Sequence, residues 1–286
     1  MKGSSIPLAT ASVVVPAHDE EAGIARLLHC LTDGAGRGEL EIVVVCNGCT
    51  DRTAEIARTF GPDIRVEEIA QPSKHEALRR GNEAATAFPR LYVDADVELD
   101  VESVRRLVAA LGTGEVLACA PRRVLSRQGV RRVAGFYYDV WERLPQVRAG
   151  LFGRGVVAVS AHGHARIAAL PPMMSDDLVM SEAFTQDERR IVEGAQVVVH
   201  PARNLKALVN RRVRVATGTA QAQNHELTGT EARTTVRGLL RLARADRVVA
   251  TRLPVFLAVT VVARLRSSRR IRSGDYDTWL RDDTSR

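Results

Sequence analysis

Short apolar runs alternate with helical periodicity through the first 120 residues. Ala11 to Val15, Glu41 to Val45, Ile64 to Glu68, Leu91 to Val93 and Val116 to Cys119 are rich in β-branched residues at consecutive positions, the pattern of strands covered on both faces. Between them the periodicity predicts helices near Glu20 to Leu31, Asp51 to Phe60, Ser73 to Thr86 and Val101 to Leu111. Ser73 with Glu76 makes a capping box for the third, and Asp100 is placed to cap the fourth. Such alternation is the signature of βαβ units, so the expectation is an α/β fold with a mostly parallel central sheet and flanking helices.

After residue 120 the pattern loosens. A helical segment at Phe136 to Val147, a strand at Val156 to Ser160 and a helix near Asp176 to Phe184 are predicted, followed over 203–267 by two or three basic amphipathic helices interrupted at Gly218, Gly229 and Pro254. The expected division is a domain over 1–220 and a basic helical carboxyl-terminal extension over 221–286, ending in an irregular tail. No apolar stretch of signal-peptide length follows the amino terminus. The longest uncharged run near the other end, Leu253 to Ala263, falls short of the roughly 20 residues a spanning helix needs. A cytoplasmic protein, soluble or held peripherally at the inner face of the membrane, is expected.

Charge sharpens this picture. The net charge is +7, yet residues 203–272 hold sixteen Lys or Arg against three Asp or Glu, so that segment carries +13 and the rest −6. A polyanionic partner suits such asymmetry, either a membrane surface or a phosphate-rich substrate. Nucleic acid does not, because aromatics are 4% and no stacking platform is visible. Arg outnumbers Lys by 38 to 3, which makes each lysine informative.

Cys46-Asn47-Gly48-Cys49 raises a metal or redox question. Structural zinc needs four ligands, usually two such pairs, and the remaining Cys30 and Cys119 form no second pair. The run lacks a preceding aromatic and an intervening Pro, so ordinary thiols in a reducing compartment are expected. The turn itself matters more, since open α/β sheets bind ligands at the carboxyl ends of strands.

Four polar loops follow strands or open helices: PAHDEE at 16–21, CNGCTD at 46–51, DADVELD at 94–100 and SDD at 175–177. Each alone reads as a helix cap or a solvated loop; together they suggest a site. The set resembles the family 2 glycosyltransferases of the A-type nucleotide-diphospho-sugar fold, over roughly residues 10–220. Pro16 to Glu21 is similar to the family's P-x-x-N-E loop, Asn47 to Asp51 to its D-G-S-T-D turn, Asp94-Ala95-Asp96 to its D-x-D, and Lys74 to Leu78 to its K-x-x-A-L stretch.

The resemblance implies an enzyme that moves a sugar from a nucleoside-diphosphate donor to an acceptor hydroxyl with inversion. It implies donor contacts from Pro16, His18, Glu20, Asn47, Asp51, Lys74 and Asp94, and Mg²⁺ or Mn²⁺ held by Asp96 with Asp94. Hard cations prefer oxygen ligands and offset diphosphate charge, which independently suits two acids at a strand's end. Asn47 stands where the family often has an acid; an amide both donates and accepts, so the base stays open. Asp176-Asp177 resembles the family's acidic pair at a helix start. Adjacent side chains on a helix diverge by about 100°, so one faces the reaction, and Asp177 is assigned as general base with Asp176 the alternative.

Arg211, Arg212 and Arg214 resemble the family's Q-x-x-R-W region without its Gln and Trp, and are candidates for diphosphate or an anionic acceptor. His162 and His164 are candidate metal or acceptor contacts. The acceptor is expected to be a small molecule, a lipid-linked group or a cell-envelope glycan. Two other classes compete: a nucleotidyltransferase, whose Gly-rich basic loop is missing after Val15, and a silent nucleotide-sugar-binding module. A dehydrogenase is disfavoured because no G-x-G-x-x-G follows the first strand.

Overall fold

The computed structural model describes residues 9–170, 176–224 and 234–272; the side chains of Asp176 and of 221–224 also lie outside the description, as do Gly229 and most of the tail. The first four apolar runs form β1 (Ala11–Ala17), β2 (Leu40–Asn47), β3 (Ile64–Ile69) and β4 (Arg90–Val93). Helices α1 (Ile24–Thr32), α2 (Thr53–Arg58), α3 (Lys74–Ala84) and α4 (Val101–Gly112) separate or follow them. Ser73 accepts from the Glu76 amide and Asp100 from the Ser103 amide, so both expected caps form. The Glu76 carboxylate pairs with Arg79 rather than closing the box.

Eight strands join in one sheet ordered β3-β2-β1-β4-β7-β6-β8-β5, with β5 (Val97–Glu98), β6 (Ala118–Leu125), β7 (Val156–Val159) and β8 (Arg189–Val199). Four of the seven neighbour pairings are parallel: β3 to β2, β2 to β1, β1 to β4 and β6 to β8. The turnabout at β7, antiparallel to both β4 and β6, makes the sheet mixed. Every residue of β1 is buried, because helices cover both of its faces. Val13 and Val15 face Leu27, Leu28, Leu31 and Leu107 on one side, and Val14 meets Ala77 and Leu78 of α3 on the other. That two-sided burial is why β1 and β2 read as unbroken apolar runs.

The second half departs from expectation in three places. β6 starts at Ala118 and continues through Pro121 to Leu125, where the register against β8 shifts between Pro121 and Arg122; a bulge lets a strand absorb a proline. The short helices α5 (Arg132–Trp141) and α6 (Pro145–Ala149) replace one longer segment, and α7 (Ala161–Ala168) and α8 (Asp176–Glu182) follow. Helix α9 (Leu205–Asn224) runs unbroken through Gly218 and across the division expected at residue 220.

Helix α10 (Val236–Ala245) leads to α11 (Arg247–Arg272), which continues through Pro254. Both Pro254 and Ala250, whose carbonyl the proline cannot satisfy, are exposed, so water can take that carbonyl. α11 buries Val249, Phe256, Val259, Ala263 and Ser267 along one stripe against α5 and α9. Phe256 stacks on Tyr137 at 5.0 Å, Arg143 pairs with Asp246 at 2.8 Å, and the buried hydroxyls of Thr217 and Ser267 meet at 3.0 Å. The α11 helix is therefore braced on α5 and α9, while Leu257, Val261 and Leu265 stay exposed. By length and composition alone α11 is also apolar enough to cross a membrane.

Phe256→Ala removes the ring at the centre of this brace. A loss of about 3–5 kcal/mol is expected, the usual range for Phe to Ala in a core, and urea denaturation against the unsubstituted chain measures it.

Candidate active site

Parallel pairing sets Ala17 beside Cys46 and Tyr92 beside Val14, so the loops leaving β1, β2 and β4 emerge together. Asn47, 4% exposed, ties them: its amide nitrogen donates to the Ala17 carbonyl at 2.7 Å, and its side-chain oxygen accepts from the Ser73 amide at 3.1 Å. The His18 Nδ1–H donates to the Asn47 carbonyl at 2.6 Å. Gly48 holds φ +58, and a Cβ there would lie 2.7 Å from the Pro72 nitrogen, which keeps the turn flat against the α3 entry. Across from it Asp19 sits at φ +48, an uncommon conformation for a non-glycine residue. Its carboxylate accepts from the Thr50 amide.

The C-x-x-C thiols are free and influence one another's ionisation. The Cys49 thiol, then burial, pushes Cys46 up; the Cys46 thiol holds Cys49 below the ordinary thiol range. Among the described residues His18, Asp19 and Cys49 bring donor atoms within 4.8 Å of one another. They are three rather than four, and each already holds a loop neighbour.

At the end of β4 the Asp94 amide donates to the Gly155 carbonyl at 2.8 Å, and its carboxylate takes the Lys74 ammonium at 2.8 Å. Burial raises the Asp94 carboxyl, but Lys74, with Arg211 and Arg214 behind it, outweighs burial and holds it below its usual value. The 41% exposure of this side chain is its cleft-facing surface. Gly155, at φ +67, leaves room for it: a Cβ would meet Val97 at 2.5 Å and the Asp94 carboxylate at 3.3 Å. Val97 then pairs with Val199 through β5, so the D-x-D loop is pinned at both ends.

Asp177 lies in the first turn of α8. Its Oδ2 accepts from the Gly153 amide at 2.8 Å. Gly153 rests beneath Trp141, on whose ring the Arg123 guanidinium lies at 4.2 Å from the centroid. Arg214 senses Asp94, Asp96 and Asp177 together; burial and Arg211 lower it while the three acids act against them. Asp94, Asp96, Asp177 and Arg214 line the same cleft.

All of these groups line one cleft of about 1160 Å³, with Pro16, His18, Glu20, Asn47, Lys74, Arg211 and Arg212 also in its wall. Two sets of expected residues are not brought there. Asp51 accepts from the Glu21 and Thr53 amides instead, fastening the β1 loop to the start of α2. His162 is exposed and His164 bonds the Tyr92 hydroxyl at 2.9 Å. The cause is β7: with Val156 beside Val93 and Val159 beside Arg90, the chain leaving β7 emerges at the opposite edge of the sheet. Gly153, Gly155, Tyr137 and Trp141 also line the cleft; the glycine spacing in LFGRG signals only the first two.

The chain matches the family described as glycosyl transferase family 2 over residues 12–165, more than half its length, and belongs to that family. The match ends before Asp177 and the Arg211 to Arg214 run. Glycosyltransferase AglD of Haloferax volcanii is 30% identical over 146 residues, covering 46% of this chain and 23% of AglD; the chain thus spans under a quarter of that relative. Among solved structures, the mannosyltransferase PcManGT from Pyrobaculum calidifontis, in complex with GDP-Man and Mn²⁺, superposes with a TM-score of 0.60 at 19% identity, covering 93% of this chain and 79% of that one. Glucosyl-3-phosphoglycerate synthase from Mycobacterium tuberculosis, in complex with Mn²⁺, UDP and glucosyl-3-phosphoglycerate, gives 0.54 at 23% identity, covering 78% and 82%. These likenesses establish the A-type glycosyltransferase fold.

Asn47→Asp is the sharpest test of the loop geometry. A carboxylate cannot donate to the Ala17 carbonyl, so a buried acceptor would face another acceptor, and a loss of about 1–3 kcal/mol is expected. Thermal melts at neutral pH should show it, with partial recovery at acid pH where the new carboxyl can protonate and donate.

Proposed function

We propose that the protein is a metal-dependent inverting glycosyltransferase that moves a sugar from a nucleoside-diphosphate donor to an acceptor hydroxyl. The placing of Asp94, Asp96, Asp177, Lys74 and Arg214 in the wall of one cleft supports this reading. The oxygen donor set of Asp94 and Asp96, with Asp94 kept ionised, fits a hard divalent cation better than a soft one. A Mg²⁺ or Mn²⁺ held there would supply Lewis-acid neutralisation of the diphosphate. PcManGT and the synthase, both solved with Mn²⁺, support that choice.

This chain's own groups account for the rest. Lys74, Arg211 and Arg214 offer cationic hydrogen bonds to the leaving diphosphate. His18, Glu20, Asn47 and Pro16 form the wall for base and ribose. Asp177 has lone pairs beyond those given to the Gly153 and Leu178 amides, so it can take the proton of the acceptor hydroxyl while staying oriented. As that oxygen bonds to the anomeric carbon, the bond from carbon to the phosphate oxygen breaks and its electron pair leaves on the nucleoside diphosphate. One displacement inverts the configuration. A cytoplasmic setting, where nucleotide sugars are the donor, with surface contact through α10 and α11, completes the proposal.

Asp177→Asn keeps an acceptor for Gly153 but not a base. Turnover should fall by about 10²-fold or more while calorimetry with UDP or GDP and Mn²⁺ gives near-native affinity; equal turnover would remove the base assignment. Asp96→Asn should instead abolish the Mn²⁺ dependence of nucleotide binding, and unchanged dependence would move the cation elsewhere.

A further inference from the structure

The cleft does not end at the acids. It continues between α9, α10 and α11, following α11 from Phe256 to Ile271, a stretch of about 22 Å at 1.5 Å per residue. A single small-molecule pocket usually holds about 300–1,000 Å³, so a cleft of about 1160 Å³ has room for a donor and a second molecule. Its two ends differ in chemistry. Acids and cations crowd the strand ends, whereas the far part is walled by side chains such as Tyr137, Leu208, Val215 and Leu239.

The groove is also open along its length. Val236, Leu257 and Val261 line it, yet they are 73%, 42% and 53% exposed. Leu240 and Leu265 extend the same apolar rim outward. Around this rim α10 and α11 carry ten Arg, and the one acid between residues 236 and 272 is Asp246, already paired with Arg143. An apolar mouth rimmed by so many Arg, of which Arg252 pairs with Asp139, complements an anionic leaflet.

We propose that this groove takes the apolar chain of the acceptor, an amphiphile drawn from an anionic membrane surface, and presents its hydroxyl-bearing head to Asp177. This rests on the glycosyl-transfer reading and names its acceptor class. α11 then acts at once as brace and as wall: Phe256, Ala263 and Ser267 face inward, and Leu257 and Val261 meet the lipid. A water-soluble sugar acceptor would have no use for the apolar groove or its open rim.

The test uses the full chain and two probes. Dansyl-labelled undecanoic acid reports the groove by blue-shifted fluorescence, and Thr260→Phe, which fills the groove from a half-buried position, should weaken it about tenfold or more. Ala216→Phe, on the opposite wall, repeats the test if the first variant melts early. In flotation with vesicles of three parts phosphatidylcholine to one part phosphatidylglycerol, the chain should float at low salt and sink as salt shortens the Debye length. The variant L257Q/V261Q/L265Q should sink at both.

Absence of probe binding, or equal binding by both filled variants, overturns the groove. A chain that stays in the soluble fraction at low salt while still binding the probe overturns membrane delivery and leaves a soluble apolar acceptor. Calorimetry with UDP or GDP and Mn²⁺ runs alongside: probe binding without nucleotide binding removes the transferase reading itself, whereas nucleotide binding without probe binding removes only the acceptor inference.

Discussion

The buried amide of Asn47 fixes the geometry on which the site depends. It donates to the end of β1 and accepts from the entry of α3, and its own carbonyl orients His18. Each partner is a backbone or ring group, and an unsatisfied buried polar group is costly. Three segments from distant parts of the chain thereby keep one relation. Lys74 follows Ser73 directly, so its reach to Asp94 inherits that relation.

Charge is balanced across the cleft rather than within one pair. Asp94, Asp96 and Asp177 share the cleft wall with Arg211 and Arg214, while Lys74 holds Asp94. Like charges this close raise one another's energy, and interspersed cations make the arrangement stable without ligand. In the proposed reaction a diphosphate arriving with a divalent cation would add charges of both signs, so the balance would survive binding. Pre-set cations at the leaving group need little rearrangement during the reaction.

The sequence was most legible where burial is two-sided. β1 and β2 pack helices on both faces, so their apolar runs are continuous and their loops could be placed at one edge. β8 is hidden in the sequence because its first half carries Arg189, Arg190, Glu193 and Gly194, which break the apolar run. Gly218 and Pro254 suggested breaks that tertiary packing overrides: the Thr217 to Ser267 contact holds α9 against α11, and Pro254 lies on an exposed face. Asp94, Asp96, Asp177 and Arg214 were readable as residue types after strands or at helix entries. His162 and His164 failed because the reversal of β7 is a pairing decision made by partners far along the chain, and Asp51 because a cap and a ligand look alike in sequence.

Helix α9 carries Arg211 and Arg214 at the polar end of the cleft and Ala216 and Thr219 along the groove. Because an α-helix has a fixed rise, the eight residues from Arg211 to Thr219 set these two regions about 12 Å apart. α9 is thus a ruler. An acceptor seated against it can offer only the hydroxyl that lies at the matching distance from its buried portion, so the position of the new glycosidic bond would be chosen by helix geometry rather than by intrinsic reactivity.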